Sequence, residues 1–353
     1  MDFDYLIIGQ GIAGTNLAFT LLDHSKKVLV VDQPKPFTST KAAAGLFNPI
    51  TGRKLTKTWL ADLIFPYLHQ FYPQQEARLQ CTFFHQIPIY IPFDSVEKQN
   101  TWVAKSGEIS YHDYILQSPS EKYVGKLNTH FGGMELKQAG YVDTNSYLAA
   151  AAGFFKQHHM LQHTFITPQA LNLADGKVAW KGLSFGKVIF CDGAFNADNA
   201  LFDWLDYRRV KGEILRVKFQ GDAFEQIINR GCWVIPQLDK TYKVGSTFEF
   251  NQLDTTPTEK GKLQVMEKLE ALVTLPYEVL DHWAGIRPAT YDRRPFVGLH
   301  PKYPQVGLFN GMGAKGISLT PYLAQHFYAF LEEGKPLMPE IDLNRKRKKK
   351  AKG

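Results

Sequence analysis

Phe3-Asp4-Tyr5-Leu6-Ile7-Ile8-Gly9-Gln10-Gly11-Ile12-Ala13-Gly14 opens the chain and decides how the rest is read. An apolar run ends in glycines spaced Gly-x-Gly-x-x-Gly, and residues 15–24 follow with Leu17, Ala18, Leu21 and Leu22 at helical spacing. Residues 27–32 form a second run rich in Val and Leu, so the order reads strand, helix, strand. Such a turn aims backbone N–H groups and the positive end of a helix dipole at a pyrophosphate. Gly9 permits the turn, Gly11 lets the phosphate approach across Ile12 and Ala13, and Gly14 lets helix and strand pack closely. Asp32, at the end of the second strand, is placed to accept hydrogen bonds from ribose hydroxyls. A glycine triplet alone is weak evidence, but strand, helix and acid in register imply a dinucleotide. Nicotinamide and flavin both use this loop, and the loop leaves that choice open.

The 353 residues suit two domains, each large enough for its own core. Hydrophobic residues at 44% and charged residues at 21% are ordinary for a globular enzyme and exclude a wholly disordered chain. The longest apolar run, residues 147–155, is far short of the roughly 20 residues of a membrane span. The start of the chain lacks the pattern of a secretory signal, so a cytoplasmic location is expected. Cys81, Cys191 and Cys232 are odd in number and widely spaced, which argues for buried thiols rather than disulfides or a metal cluster. His158, His159 and His163 read as exposed histidines at a helix end, and no metal site is expected. The net charge of +7 resides in Arg345-Lys346-Arg347-Lys348-Lys349-Lys350 and Lys352; without those seven, 34 basic groups face 34 acidic ones. That tail reads as a solvated, disordered end, with contact to RNA or an anionic surface as the other use of such charge.

Further along, helices are expected over residues 59–72, 144–156, 260–273 and 318–332, and strands over 187–191, 213–219, 233–236, 243–250 and 307–310. Residues 75–135 read as short strands and turns. Ile87-Pro88-Ile89-Tyr90-Ile91-Pro92 is the clearest of these, and its prolines suit a sheet edge. The fold class is α/β with an α+β second domain: a Rossmann-like nucleotide-binding domain (1–58, 136–204, 283–340) interleaved with a β-rich substrate domain (59–135, 205–282). A basic disordered tail (341–353) follows.

This order resembles the D-amino acid oxidase family of flavoproteins, which includes glycine oxidase and sarcosine oxidase. Five places carry the resemblance: the Gly9 loop; Ser39-Thr40-Lys41-Ala42-Ala43-Ala44-Gly45 with Asn48-Pro49; Gly140-Tyr141-Val142-Asp143; Trp233-Val234-Ile235-Pro236 leading to Gly245-Ser246-Thr247-Phe248-Glu249; and Gly285-Ile286-Arg287-Pro288 with Asp292, Pro295 and Gly298. The turn Gly311-Met312-Gly313-Ala314-Lys315-Gly316 and its helix, beginning at Ile317, complete the pattern. The resemblance spans residues 1–335 and implies FAD. Lys41, Ala43, Ala44, Gly45, Asp192, Gly193, Gly285, Arg287, Gly313, Ala314, Lys315, Gly316 and Ile317 are then expected at the cofactor beside the Gly9 loop and Asp32. Some members attach flavin through a cysteine near the Gly285 motif; here that thiol is missing, which implies non-covalent FAD.

The resemblance further implies oxidation of a C–N bond by hydride transfer from a small-molecule amine or amino acid, with oxygen or an unknown carrier as electron acceptor. Arg287 lies where the family clamps a substrate carboxylate through two parallel hydrogen bonds; the plainer reading is a structural arginine paired with Asp292. Lys315 adds a cation to the amides of the last turn, or is a surface lysine beside it. Arg53 enters the active site or pairs at the surface. Trp59, Tyr90, Trp233 and Tyr242 either roof the substrate or fill the core. The flavin domain of the bifunctional enzyme that matures a methylaminomethyl group on tRNA wobble uridine shares the motifs, so RNA modification is the alternative, as is a dehydrogenase passing electrons to a quinone or carrier. A neutral folded body argues against an RNA face. Oligomeric state is not legible.

Overall fold

The computed structural model describes residues 2–52, 55–116, 122–174 and 176–345, the side chains of 196–198 excepted. Arg53 and the basic residues 346–353 lie outside the described residues. By contact the chain divides into two units: Met1–Lys41, Leu148–Arg209 and Arg287–Gly353 form one, and Ala42–Tyr147 with Val210–Ile286 the other.

In the first unit β1 (Phe3–Ile8), α1 (Ile12–Asp23) and β2 (Val28–Asp32) realise the expected order. The sheet runs Leu161–His163, β2, β1, Leu183–Phe190, Val306–Asn310, Phe296–Leu299, with Val178–Trp180 branching from the fourth strand. β1 pairs in parallel with both neighbours, Ile8 standing opposite Val31 and Phe190. A parallel strand covered on both faces must be apolar throughout, and Val28 to Val31 are accordingly all buried. Leu6, Leu29, Val188, Phe190 and Leu308 lie in one core cluster. α1 is tied to the C-terminal helix Gly316–Glu333 by a buried bond in which Asn16 Nδ2 donates to Thr320 Oγ1 at 2.7 Å.

The expected disordered tail begins too early. Ile341 and Leu343 are fully buried, and they bond to Val297 at 2.9 Å on both sides, extending the sheet past Phe296–Leu299. Glu340-Ile341-Asp342-Leu343 alternates polar and apolar as a strand does, a signal masked by the charge run that follows it.

The second unit holds a seven-stranded sheet in the order Tyr277–Arg287, Val210–Phe219, Tyr242–Gly245, Cys232–Pro236, Ile227–Arg230, Ile89–Pro92, Gly133–Leu136. Helix Glu259–Glu270 covers one face, packing Val265 and Leu269 among Leu215, Val217, Val234 and Val244. Ile89–Pro92 is an interior strand and not the expected edge: Pro88 precedes it and Pro92 is its last residue, so neither proline interrupts the pairing. Helix Ala61–Leu79 runs through Pro66 and Pro73, beyond the expected stop at Tyr72. Val96–Ser106, read as turns, is a helix capped by Ser95 Oγ accepting from the Lys98 N–H. A small sheet pairs Leu46–Phe47 and Phe84–Gln86 with Gly140–Val142. Through it, residues 42–58 and 136–147 pack in this unit instead of with the nucleotide-binding segments.

Candidate functional site

Each glycine of the first loop answers to a contact. Gly9 has φ +106°, and a Cβ there would stand 2.7 Å from the Cys191 carbonyl oxygen. A Cβ on Gly14 would fall 1.9 Å from the Gly9 carbonyl oxygen, so α1 approaches β1 at a distance only glycine allows. Gly11 is different. Its φ is −76° and a Cβ would meet only Thr40 Oγ1, at 3.3 Å, which leaves open the space a phosphate would enter.

The helix end these glycines present is electropositive. Gly11 is the N-cap of α1 and has no side chain to cap it, and the first turn of the helix carries no acid. Thr40 accepts from the Ile12 N–H at 3.1 Å, and Ala13 is buried behind it. Asp32 ends β2 and accepts from the Gln10 N–H through Oδ1 at 2.9 Å, which fixes the carboxylate beside the loop with Oδ2 as its second acceptor. The C-terminal helix also begins without a side-chain cap or an acid in its first turn, with Lys315 as N-cap. A Cβ on Gly316 would lie 2.9 Å from Ile12 Cγ2, so the two positive helix ends converge. Two helix N-termini free of acids, with Gly11 and Gly316 at their starts, suit a dinucleotide pyrophosphate, and the donor set therefore fits FAD.

A buried asparagine ties this cradle together. Asn310 Nδ2 donates to Asp192 Oδ1 at 3.2 Å and to the Gly193 carbonyl at 3.0 Å, while its Oδ1 accepts from the Gly311 N–H at 2.7 Å. The strand end at 191–193 and the turn at 311–316 are thus held in one geometry. The Gly313 N–H bonds to the Pro288 carbonyl at 3.2 Å, which lays the segment after Arg287 against that turn. Gly313 and Lys315 are half-buried, Ala314 is exposed, and Ile317 is buried.

Two cations of this region are electrostatically unusual. Burial pushes the Arg287 guanidinium down to about 10. Burial, reinforced by the charges of Arg294 and Arg293, pushes the Lys315 ammonium down to about 8. Asp292, the partner weighed for Arg287, accepts from Arg345 by bonds of 2.9 and 3.1 Å. Lys41 turns its ammonium to the Lys35 carbonyl at 2.7 Å. Cys191 is fully enclosed, and burial raises its thiol well above the usual range, so it is inert as a nucleophile at neutral pH.

Within the second unit, Ala44 and Gly285 are buried and Ala43 is half-buried. Gly45 has φ +78°, and a Cβ there would overlap the Val142 carbonyl at 1.9 Å. Of the four candidate aromatics, Tyr90 and Tyr242 belong to the core cluster under helix Glu259–Glu270. Trp233 alternates with Cys232 and Val234 and so occupies the opposite face of the sheet, its ring 2.9 Å from where a Gly245 Cβ would be. Lys243 shares the face by the same alternation, and burial lowers the proton affinity of its amine. A desolvated amine of this kind acts as a base or as an anion receptor.

Thr40, Asn310 and Lys243 escaped the sequence reading. Thr40 and Asn310 act through bonds across long sequence separations, and a lysine in a short strand reads as solvated. Asn310 had one available signal, its position between a strand and a glycine turn.

A mostly parallel sheet with a glycine cradle, joined by a second helix N-terminus, is the geometry of a dinucleotide-binding protein. The chain matches the family model described as FAD dependent oxidoreductase (DAO) over residues 4–329, and it belongs to that family. It is 25% identical over 366 residues to a glycine oxidase of Pseudomonas putida, a match covering 96% of this chain and 97% of that one. It is 21% identical over 352 residues to the tRNA 5-methylaminomethyl-2-thiouridine biosynthesis bifunctional protein of Marinobacter nauticus, covering 91% of this chain and 54% of that protein. The solved glycine oxidase of Geobacillus kaustophilus superposes with a TM-score of 0.78 at 19% identity, covering 98% of this chain and 99% of that one. The protein is an FAD-dependent oxidoreductase. Among the described residues no helix is long and apolar enough to cross a membrane, and no group of three or more His, Cys, Asp or Glu is placed to hold a metal.

Proposed function

We propose that this enzyme oxidises the C–N bond of an amino acid or secondary amine that carries a carboxylate, and that Arg287 receives that carboxylate. Bound FAD supplies the hydride acceptor for such a reaction. The amides of residues 11–14 hold the pyrophosphate, Asp32 the adenosine ribose, and Asp192 and Gly193 the cofactor's middle. The 313–317 amides face the edge where negative charge grows. Lys41 contributes at the ribose end through its backbone. With no cysteine in the Gly285 motif, FAD binds non-covalently.

The reading rests on Arg287. Arg287 ends strand Tyr277–Arg287 next to the 311–316 turn, and a carboxylate matches the paired donors of a guanidinium. Lys315 stabilises charge on the cofactor side and, with its proton held loosely, does so best below about pH 8. Glycine, named for the relatives, is the smallest amine of the proposed class.

Anaerobic mixing of the yellow protein with glycine, sarcosine, larger amino acids, other N-methyl amines and 2-hydroxy acids tests this. Bleaching by an amino acid or N-methyl amino acid is expected. Arg287→Ala should raise the apparent substrate Kd by at least about 100-fold, the effect of losing a charge-assisted pair worth about 3 kcal/mol; an unchanged Kd removes the clamp. Peroxide yield in air separates oxygen from a quinone or carrier as the acceptor. The match to the tRNA-modifying protein supports a second reading, a modified tRNA nucleoside as substrate; bleaching by that RNA and by none of the small amines would select it.

A further inference from the structure

Within the second unit, hydrogen-bond donors with nothing to donate to gather on and beside the sheet face turned away from helix Glu259–Glu270. Lys243 alternates with Tyr242 and Val244, which lie in the core under that helix, so its side chain leaves the sheet on the opposite face. Its direct neighbours in the ladder are Arg216 on one side and Ile235 on the other. A like charge directly opposite is unfavourable, and the amine is also held largely out of water, which lowers its proton affinity. Among the described residues no carbonyl, hydroxyl or carboxylate bonds to the Lys243 ammonium. Gly245, two residues on and on the same face, lies under Trp233, whose Cζ2 would stand 2.9 Å from a Cβ there. The indole N–H, a donor only, is likewise unbonded among the described residues, as is the hydroxyl of buried Tyr141. Tyr141 and Lys243 share a neighbourhood, because Asp143 and Asp239 act electrostatically on both. Those two acids are occupied elsewhere. Asp143 Oδ1 accepts from the Asn145 and Ser146 N–H groups at 3.2 and 3.3 Å, and its Oδ2 from Ser146 Oγ at 2.8 Å. Asp239 Oδ1 accepts from the Thr241 N–H and hydroxyl at 3.1 and 2.6 Å, and its Oδ2 pairs with Arg216.

We propose that Lys243, with Tyr141 and Trp233 beside it, is a receptor for a small organic carboxylate, built from residues of the second unit alone. An ammonium and a phenol supply donors for the two oxygens. Trp233, with Ile214 and Ile235 on the same face, supplies an apolar wall for the carbon body. A purely structural role for Lys243 runs against its surroundings: an unbonded amine out of water, with an arginine opposite, lowers stability, and methionine would fill the same space without that penalty. A fold keeps such a group where a ligand uses it. A cation finds no acceptor here, since both nearby acids are taken, and an inorganic anion would use the donors but not the wall. The inference goes beyond the oxidation proposed above and does not depend on Arg287.

The test is calorimetric titration of benzoate, acetate and inorganic phosphate into the FAD-loaded full chain carrying Arg287→Ala, so that a carboxylate held by Arg287 does not contribute. One benzoate per chain is expected to bind, at least about tenfold more tightly than acetate because only benzoate covers the Trp233 ring. Adding Lys243→Met should weaken benzoate at least about tenfold, and adding Tyr141→Phe severalfold. Lys243→Met should also melt no lower than its parent, since it removes an unpaired charge from a site out of water. Visible flavin absorbance reports folding in each case, and Lys243→Gln replaces Lys243→Met in the titration if the latter fails to load. The proposal is overturned by benzoate affinity that Lys243→Met or its replacement leaves unchanged, by phosphate binding more tightly than benzoate, or by a fall in melting temperature in Lys243→Met, which marks the lysine as part of the fold. Benzoate binding to the wild-type chain but not, at up to about 10 mM, to Arg287→Ala overturns it too, and leaves the reading of Arg287 standing.

Discussion

Gly14→Ala and Gly11→Ala differ by one methyl group at nearby positions and should fail in opposite ways. At Gly14 the new Cβ would lie 1.9 Å from the Gly9 carbonyl oxygen and 3.2 Å from Cys191 Cβ. Reaching a carbon–oxygen contact of about 3.3 Å needs α1 to withdraw from β1 by about 1.4 Å. Overpacking that side chains can absorb costs about 1–3 kcal/mol, and here the obstruction is backbone, so at least about 3 kcal/mol is expected. For a chain of this size that lowers Tm by roughly 4 °C or more in the apoprotein. At Gly11 the backbone is already in a conformation any residue adopts and the methyl meets only Thr40 Oγ1 at 3.3 Å. Apoprotein stability should therefore change by less than about 0.5 kcal/mol, while the methyl occupies the space a phosphate needs and weakens FAD by at least about tenfold, or about 1.4 kcal/mol. Calorimetry of the apoproteins and titration of flavin fluorescence separate the two effects. Gly14→Ala apoprotein as stable as wild type, or Gly11→Ala destabilised with FAD affinity intact, would refute the assignment of roles.

Ending the chain at residue 340 removes fully buried Ile341 and Leu343 and should cost at least about 4 kcal/mol, whereas ending it at Arg345 should leave Tm unchanged; thermal melts of the two truncations decide. Lys315 binds its proton more weakly folded, at about 8, than unfolded, near 10.5, so the unfolded chain holds more protons between those values. Apoprotein stability should rise with pH across that window and the rise should shrink in Lys315→Met, as followed by urea unfolding from pH 7 to 10.5. Burial raises the thiols of Cys191 and Cys232, the latter to about 12, while Cys81 is partly exposed. A thiol reagent at neutral pH should label Cys81 alone in the native protein and all three after denaturation; fast native labelling of Cys191 would contradict the packing around Gly9.

The nucleotide-binding half of the fold was legible because its signals are local: glycine spacing, a buried parallel strand and an acid at its end fall within 32 residues. Arg287 and the 311–316 turn were singled out through resemblance. What escaped depends on distant pairing. Residues 42–58 read as a continuation of the first unit, yet Leu46–Phe47 pairs with Gly140–Val142 and carries the segment into the second. Tyr90 and Tyr242 could not be told from Trp233 by composition, because the face a strand residue takes is set by the sheet's register and by the helix that covers it. The same holds for Ile341 and Leu343, whose burial comes from an edge strand almost 50 residues away in sequence.

Anaerobic reduction of the bound flavin by a panel of amino acids and N-methyl amino acids tests most directly the proposal that this flavoprotein oxidises amines. The expected result is a protein that purifies or reconstitutes with FAD and loses its visible absorbance with at least one of these substrates, at a rate that Arg287→Ala reduces under subsaturating conditions. A protein that takes up no FAD contradicts the reading of the cradle, and one that is loaded but bleached only by 2-hydroxy acids contradicts C–N oxidation.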